Sequence, residues 1–236
     1  MEHKTLALVL AAGEGSRVKH LLKKDELVKP MLKVGKRRLI EIVLEEAEKI
    51  GDETAVLTYP SELYESLDQL VRNKGIRILK QKAKHRKLPH LLELAYIIKK
   101  QYLSADQEYL ASFDSIATFC SDMVFIGSDF KAMVDFHKQN LSSPNDRQIT
   151  ILSKRGAEGR TYNFKVENGR LTSVQWFSSK PAEGYYPYAS PGVYIFTRAV
   201  LKNPFGFLLG LDYNKVLIFE TTGKWIDYGN PTPFKY

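Results

Sequence analysis

The chain has 236 residues, of which 44% are hydrophobic, 11% aromatic and 26% charged. These values are typical of a globular protein and exclude a disordered or fibrous one. Lys and Arg number 35 against 27 Asp and Glu, and the resulting net charge of +8 favours anionic partners such as nucleotides or sugar phosphates. The single cysteine, Cys120, excludes an intramolecular disulfide and a cysteine-based zinc site. The sequence contains neither an apolar run of about 20 residues nor a signal-peptide pattern, so we expect a cytoplasmic protein without a membrane partner.

The first half of the sequence alternates between strand-like and helix-like segments. Residues 5–12 are almost continuously apolar and end at Gly13, a pattern typical of a strand buried on both faces. Further strands are predicted at 54–59, 75–81 and 115–125, and helices at 36–50, from Pro60 to Gly75, at 88–102 and at 128–140 with Ser128 as N-cap. This alternation predicts right-handed βαβ units around a largely parallel sheet.

After residue 148 the pattern changes to consecutive strands. Residues 148–155 predict a strand, and residues 161–177 predict a hairpin that turns at Asn168-Gly169. Residues 188–196 and 215–228 predict further strands, the last with a turn at Thr222-Gly223. We therefore expect a single domain with an α/β sheet of mixed direction, in which the later strands complete a substrate-binding lobe.

The strongest chemical signal follows the first predicted strand. Gly13 and Gly15 allow a ligand to approach the backbone closely, Arg17 offers a planar donor for phosphate oxygens, and Lys29-Pro30 adds a second cation. A dinucleotide-binding site would need a third glycine where Val18 stands, and the sequence has no Gly-Lys-Ser/Thr of a P-loop. Taken alone, the motif leaves open an ordinary strand-to-loop turn.

The segment LVLAAGEGSR, followed twelve residues after its arginine by Lys29-Pro30, resembles the signature of the NDP-sugar pyrophosphorylases. The resemblance continues in order through GKRRLIEIVLEEAEKIG, CSDMVF, KVENGRLTSVQWFSSKP, SPGVYIF and WIDYGNP. It implies a GT-A-like nucleotidyltransferase fold, which is α/β with a central mixed, mostly parallel sheet flanked by helices and a β-rich substrate lobe. Within the single domain 1–236, it assigns residues 1–147 to nucleotide binding and residues 148–236 to sugar-phosphate binding.

The resemblance also implies which residues carry the chemistry. Asp122 and Asp227 match the two aspartates that bind Mg²⁺, which takes few carboxylates together with substrate phosphates. Arg17 and Lys29 match the residues that handle the triphosphate, and they complete the predicted catalytic set with the two aspartates. The predicted nucleotide-binding residues are Leu10, Ala11, Ala12, Gly13, Gly15, Arg17, Lys29 and Gln81, and the predicted sugar-phosphate-binding residues are Lys180, Tyr162 and Gly192.

The activity implied is the transfer of a nucleotidyl group from an NTP to a sugar 1-phosphate, with glucose 1-phosphate and dTTP or UTP as the first expectation. Mannose-1-phosphate guanylyltransferase and inositol-1-phosphate cytidylyltransferase remain alternatives, and so does a catalytically weak, nucleotide-binding regulatory relative. The basic run at 80–87 has no interleaved aromatic residues, so we interpret it as a solvated loop and expect no nucleic-acid partner. A homo-oligomer remains open.

Overall fold

The computed structural model of the protein describes residues 3–13, 22, 28–81, 107–143, 146–156, 162–175, 181–202 and 213–228. The strands are β1 Thr5–Leu10, β2 Lys33–Val34, β3 Arg37–Arg38, β4 Glu53–Thr58, β5 Arg77–Lys80, β6 Ser115–Cys120, β7 Met123–Ile126, β8 Ile149–Arg155, β9 Tyr162–Glu167, β10 Arg170–Gln175, β11 Tyr186–Ala189, β12 Tyr194–Thr197, β13 Val216–Glu220 and β14 Lys224–Asp227. The α-helices are α1 Leu39–Ala47, α2 Glu65–Asn73, α3 Gln107–Ala111, α4 Phe130–Gln139 and α5 Arg198–Lys202.

Four parallel strands form one half of the main sheet, in the order β5-β4-β1-β6. The central strand is β1, where Leu6, Ala7, Leu8 and Val9 are all at most 1% exposed although their side chains alternate between the two faces. Burial on both faces explains why this strand is apolar without interruption. These four strands are parallel, as the βαβ alternation of the first half predicts, and their carboxyl ends lie at one edge of the sheet.

The second half extends the same sheet with strands of mixed direction. Strand β12 pairs antiparallel with both β6 and β8, and β8 pairs parallel with β13. The order then continues through β10 and β9 to β11, which pairs back onto β8. Strands β8, β13, β10, β9 and β11 therefore form a closed ring of pairings. The mixed α/β class that the sequence predicts is confirmed. The expectation of a mostly parallel sheet is wrong, because the strands of the second half pair mainly antiparallel.

Two apolar clusters fill the space on either side of the sheet. Helices α1, α2 and α4 cover one face, where Val9 and Phe119 lie. The other face buries Leu8 together with Ile151 and Phe196 from the second half of the chain. Each cluster contains residues from both halves of the chain. No helix in the described part of the chain has the length and apolar composition that spanning a membrane requires.

Two of the predicted strands are wrong in a way that matters for the site. The predicted strand 115–125 breaks at Ser121-Asp122 into β6 and β7, and β7 leaves the main sheet to pair with β14. The predicted strand 188–196 breaks into β11 and β12, because Gly192 adopts a positive φ of 78°. Apolar residues flank both breaks, so the hydrophobic pattern runs through them and does not reveal the change of direction.

The helix starts also differ from the sequence-based expectations. The predicted helix 36–50 begins only at Leu39, because residues 37–38 form β3 and the Glu41 carboxylate accepts a hydrogen bond of 2.9 Å from the backbone of Arg38. The helix expected from Pro60 begins with a 3-10 turn, Glu62–Tyr64. Ser128 is not the N-cap of α4, since the Asp129 carboxylate accepts a hydrogen bond of 2.9 Å from the backbone N–H of Ala132. The predicted helix 88–102 lies outside the described residues.

Both predicted turns of the second half are present. Asn168 and Gly169 have φ angles of 51° and 73°, and they join β9 to β10 as an antiparallel hairpin. Thr222-Gly223 joins β13 to β14, which pair with different partners. A Cβ at Gly223 would lie 2.5 Å from Ser128 Oγ and 2.9 Å from the Ser128 backbone nitrogen, so this turn fits only with glycine.

A buried polar network packs α4 against the amino end of β6. The His137 ring is hydrogen-bonded through Nδ1 to Thr150 Oγ1 at 2.7 Å and through Nε2 to Ser115 Oγ at 3.1 Å. Gln148 donates a hydrogen bond of 2.9 Å to the backbone oxygen of His137. Burial, together with the charges of His3 and Lys138, lowers the pKa of His137 to about 3.

Candidate active site at the carboxyl edge of the sheet

The chain leaves β1 at the carboxyl edge of the parallel strands, through a short buried segment. Leu10 accepts a hydrogen bond of 3.2 Å from the backbone of Ser121, and Ala11 donates one of 2.8 Å to Leu57. Ala11 and Ala12 are at most 5% exposed, so the segment that the sequence predicts to contact nucleotide is anchored on both sides. A Cβ at Gly13 would meet no heavy atom within 4 Å among the described residues. Packing against the described residues therefore does not require glycine here, which leaves close approach of a ligand as a reason for it.

A tyrosine that the sequence analysis did not single out fixes the start of this loop. The Tyr64 hydroxyl donates a hydrogen bond of 2.9 Å to the Gly13 carbonyl oxygen, and Tyr64 is only 4% exposed. Tyr64 ends the 3-10 turn that precedes α2. The pattern of α2 places this residue on the buried face, where an aromatic side chain is expected for packing alone. Its hydrogen bond to a residue 51 positions away has no signal in the sequence.

The two predicted metal-binding aspartates come together through strand pairing. Asp122 lies in the turn between β6 and β7, and Asp227 ends β14, opposite Met123 of β7. The backbone N–H of Tyr228 also donates a hydrogen bond of 2.9 Å to the Asp122 carbonyl oxygen. Residues that are 105 positions apart in sequence are therefore neighbours in the structure.

The charged groups of this region affect the pKa of the Cys120 thiol. Burial raises the pKa of Cys120, and the Asp122 and Asp227 carboxylates raise it further, whereas the Lys29 ammonium lowers it. One side chain therefore lies within electrostatic reach of all three charged groups. The Cys120 sulfur is 3.9 Å from the Gly192 carbonyl oxygen, so the turn between β11 and β12 borders the same region.

Lys29 approaches the aspartates from a rigid turn. It opens the 3-10 turn Lys29–Met31, in which Pro30 and Met31 are buried. Its ammonium forms an ion pair with the Asp122 carboxylate, and the two side chains are only 12% and 13% exposed. The structure thus brings together three of the four predicted catalytic residues. The fourth, Arg17, and the neighbouring Gly15 lie outside the described residues.

A second polar cluster lies at the same edge, at the ends of β4 and β5. Gln81 follows β5, is 2% exposed and donates a backbone hydrogen bond of 2.8 Å to the Thr58 carbonyl oxygen. The Thr58 hydroxyl donates a hydrogen bond of 2.9 Å to Asp68 and accepts one of 3.0 Å from Lys80, whose ammonium is also paired with Asp68. Sequence reasoning missed Asp68, although a carboxylate beside Leu67 on the apolar face of α2 is a detectable signal of a buried ion pair.

The predicted sugar-phosphate residues are only partly described. Gly192 lies at the junction of β11 and β12, near Cys120. Tyr162 begins β9 and its backbone is opposite Tyr188, but its side chain lies outside the described part of the structure. Lys180 is also outside the described residues. The roles of these three residues stay predictions.

The side chains at the edge of the sheet offer few metal ligands, which suits a cation that keeps water molecules or substrate oxygens as its other ligands. Among the described residues, no group of three or more His, Cys, Asp or Glu side chains could hold a metal ion. The backbones of Asp122 and Asp227 are neighbours through β7 and β14, and Mg²⁺ is commonly bound by one or two carboxylates, waters and substrate phosphates. The described residues therefore fit a metal that arrives with a phosphorylated substrate better than an all-protein metal site.

Comparison with known proteins shows what the chain is similar to. A family model described as nucleotidyl transferase matches residues 6–233. Glucose-1-phosphate adenylyltransferase of Mycoplasma mobile is 25% identical, over 97% of this chain and 65% of that protein. The enzyme of the same name from Bacillus cytotoxicus is 28% identical, over 95% of this chain and 64% of that protein. The chain thus spans slightly less than two-thirds of the length of these relatives.

Two solved structures have a similar fold. The inositol-1-phosphate CTP transferase from T. maritima has a TM-score of 0.65 at 15% identity, covering 98% of this chain and 92% of that one. HddC from Yersinia pseudotuberculosis, complexed with GMP-PN, has a TM-score of 0.65 at 13% identity, covering 97% and 96% of the two chains. At these identities the comparison establishes a shared fold.

Proposed function

Because this chain belongs to the nucleotidyl transferase family, we propose that it joins a nucleoside triphosphate to a sugar 1-phosphate and releases pyrophosphate. The observation that supports this proposal best is the convergence of Lys29, Asp122 and Asp227 at the edge of the sheet where the chain leaves β1. A cation and two carboxylates at the edge where parallel strands end are suited to binding a polyanion together with a divalent metal.

In the proposed reaction, a phosphate oxygen of the sugar 1-phosphate attacks the α-phosphorus of the triphosphate in line with the leaving group. The new P–O bond forms as the bond from the α-phosphorus to the bridging oxygen breaks, and its electron pair leaves with pyrophosphate. Little covalent chemistry is required of the protein, so its contribution is orientation and charge neutralisation. A Mg²⁺ ion held by Asp122 and Asp227 supplies part of that neutralisation when it is bound.

The remaining roles follow from the residues that match the family. We assign Arg17 to the triphosphate, Lys29 to the α-phosphate and the departing pyrophosphate, and Gln81 to the edge of the base. Lys180 is assigned to the phosphate of the sugar 1-phosphate, with Tyr162 and Gly192 beside the sugar. Residues 1–147 then form the nucleotide-binding part and residues 148–236 the sugar-phosphate-binding part of one domain with a GT-A-like arrangement.

Glucose 1-phosphate is the proposed sugar substrate, and the names of the similar curated proteins support it. The resemblance of the sequence motifs favours dTTP or UTP as the nucleotide. ATP is a second candidate, because the same relatives are named adenylyltransferases.

A pyrophosphate-release assay tests the proposal directly. ATP, CTP, GTP, UTP and dTTP are each combined with glucose 1-phosphate, mannose 1-phosphate or inositol 1-phosphate in the presence of Mg²⁺. We expect release with glucose 1-phosphate, loss of release in Asp122→Asn, and retention in Lys36→Met, which removes an exposed charge from the turn between β2 and β3. Nucleotide binding without release in any combination would refute the enzymatic proposal and favour a regulatory relative.

A further inference from the structure

The Lys29–Asp122 ion pair occupies one of the two oxygens of a carboxylate that the proposed metal site needs. The Lys29 ammonium contacts Asp122 Oδ2, and the two side chains are 12% and 13% exposed, so water screens the pair only weakly. Asp227 is adjacent through the pairing of β14 with β7. A divalent cation that binds Asp122 is therefore repelled by the Lys29 ammonium, which already contacts the same carboxylate.

The backbone that carries Lys29 cannot move away easily, whereas the side chain can. The proline at position 30 fixes its own φ, and Val28, Pro30 and Met31 are all buried around the turn. The Met31 and Leu32 amides donate hydrogen bonds of 2.9 and 3.0 Å to the carbonyls of Val28 and Lys29. Releasing Asp122 thus requires the Lys29 side chain to rotate toward another anion.

We propose that Lys29 is the counter-cation of the metal site when no metal is bound. A metal ion displaces the Lys29 ammonium only when a triphosphate offers it another anion to bind. This inference rests on the proposed function and adds an order of binding to it. Without nucleotide, the ammonium offsets the repulsion between two adjacent carboxylates and disfavours a free divalent ion. With nucleotide, the phosphate oxygens take over Lys29, and the freed carboxylate receives the metal that accompanies the triphosphate. Metal and triphosphate are consequently coupled positively in their binding.

The test measures Mn²⁺ binding by electron paramagnetic resonance and by calorimetry, without sugar phosphate so that no turnover occurs. In the absence of nucleotide, we expect Lys29→Met to bind Mn²⁺ at least tenfold more tightly than the wild type, and Lys29→Arg, which keeps the charge, to bind it as weakly as the wild type. Lys36→Met is the matched control for the loss of one positive charge at an exposed position, and it should behave as the wild type does. Adding Asp122→Asn to Lys29→Met should abolish the gain.

The coupling between metal binding and triphosphate binding can be measured as a second test. A nucleoside triphosphate should tighten Mn²⁺ binding strongly in the wild type and by at least tenfold less in Lys29→Met. Unchanged or weaker Mn²⁺ binding by nucleotide-free Lys29→Met would overturn the counter-cation role while leaving the proposed function intact. Failure of the wild type to bind Mn²⁺ both with and without nucleotide would overturn the metal site itself and this inference with it.

Discussion

The buried ring of His137 should make the stability of this protein depend on pH in a predictable direction. Its pKa is about 3 in the folded protein against 6.5 for an unperturbed histidine, chiefly because burial disfavours the charged ring. As the pH falls below about 6.5, the unfolded chain takes up this proton and the folded chain does not, so the free energy of unfolding decreases until about pH 3. Between pH 7 and pH 4.5 the loss due to His137 is about 2–3 kcal/mol, at roughly 1.4 kcal/mol for each pKa unit.

Replacing the ring with an amide separates this effect from all other titrations. His137→Gln keeps a hydrogen-bonding side chain but cannot be protonated, so we expect its free energy of unfolding to fall by about 2–3 kcal/mol less than that of the wild type between pH 7 and pH 4.5. Urea denaturation at several pH values in this range measures the difference, which does not depend on how stable the variant is at pH 7. His3→Gln, at a half-buried ring whose pKa burial also lowers, is the control and should show a smaller change. Identical pH dependence of the wild type and His137→Gln would refute the reasoning.

Two further predictions concern the site, and a third concerns the packing of the turn before β14. Asp122→Asn and Asp227→Asn should each reduce turnover by several orders of magnitude with the fold retained, as steady-state kinetics and circular dichroism would show, and a fully active Asp227→Asn would remove that residue from the site. Tyr64→Phe removes the hydrogen bond to the Gly13 carbonyl, worth about 1 kcal/mol, and should raise the KM for the triphosphate about fivefold while the KM for the sugar phosphate stays constant. Gly223→Ala should destabilise the protein by about 1–3 kcal/mol in thermal unfolding, because the added methyl group overlaps the side chain and backbone of Ser128, and wild-type stability would contradict this packing.

The parts of the fold that could be predicted are those whose signals are local. The apolar run at 5–12 predicts the central strand β1, Asn168-Gly169 predicts the hairpin of β9 and β10, and the order of motifs predicts the family, which the match over residues 6–233 confirms. The break at Ser121-Asp122 could not be predicted, because the residues on both sides are apolar and a change of partner strand leaves no periodic trace.

The long-range geometry of the site was equally inaccessible from spacing alone. Only the family resemblance linked Asp122 to Asp227, since their proximity depends on the pairing of β7 with β14. The ion pair between Lys29 and Asp122 and the hydrogen bond from Tyr64 to Gly13 join residues 93 and 51 positions apart. Such contacts arise from tertiary packing, so a single sequence carries no signal for them.

The position of β12 restricts the ways in which the two halves of the chain can move relative to each other. This strand comes from the second half of the chain, yet it is hydrogen-bonded between β6 and β8 and joins the two halves in one continuous ladder. Bending the halves toward each other, as two lobes do around a hinge, would break that ladder at the point where Asp122 and Gly192 border the site. The pairing of β12 with both neighbours therefore favours a fixed relative placement of the two halves of the described sheet.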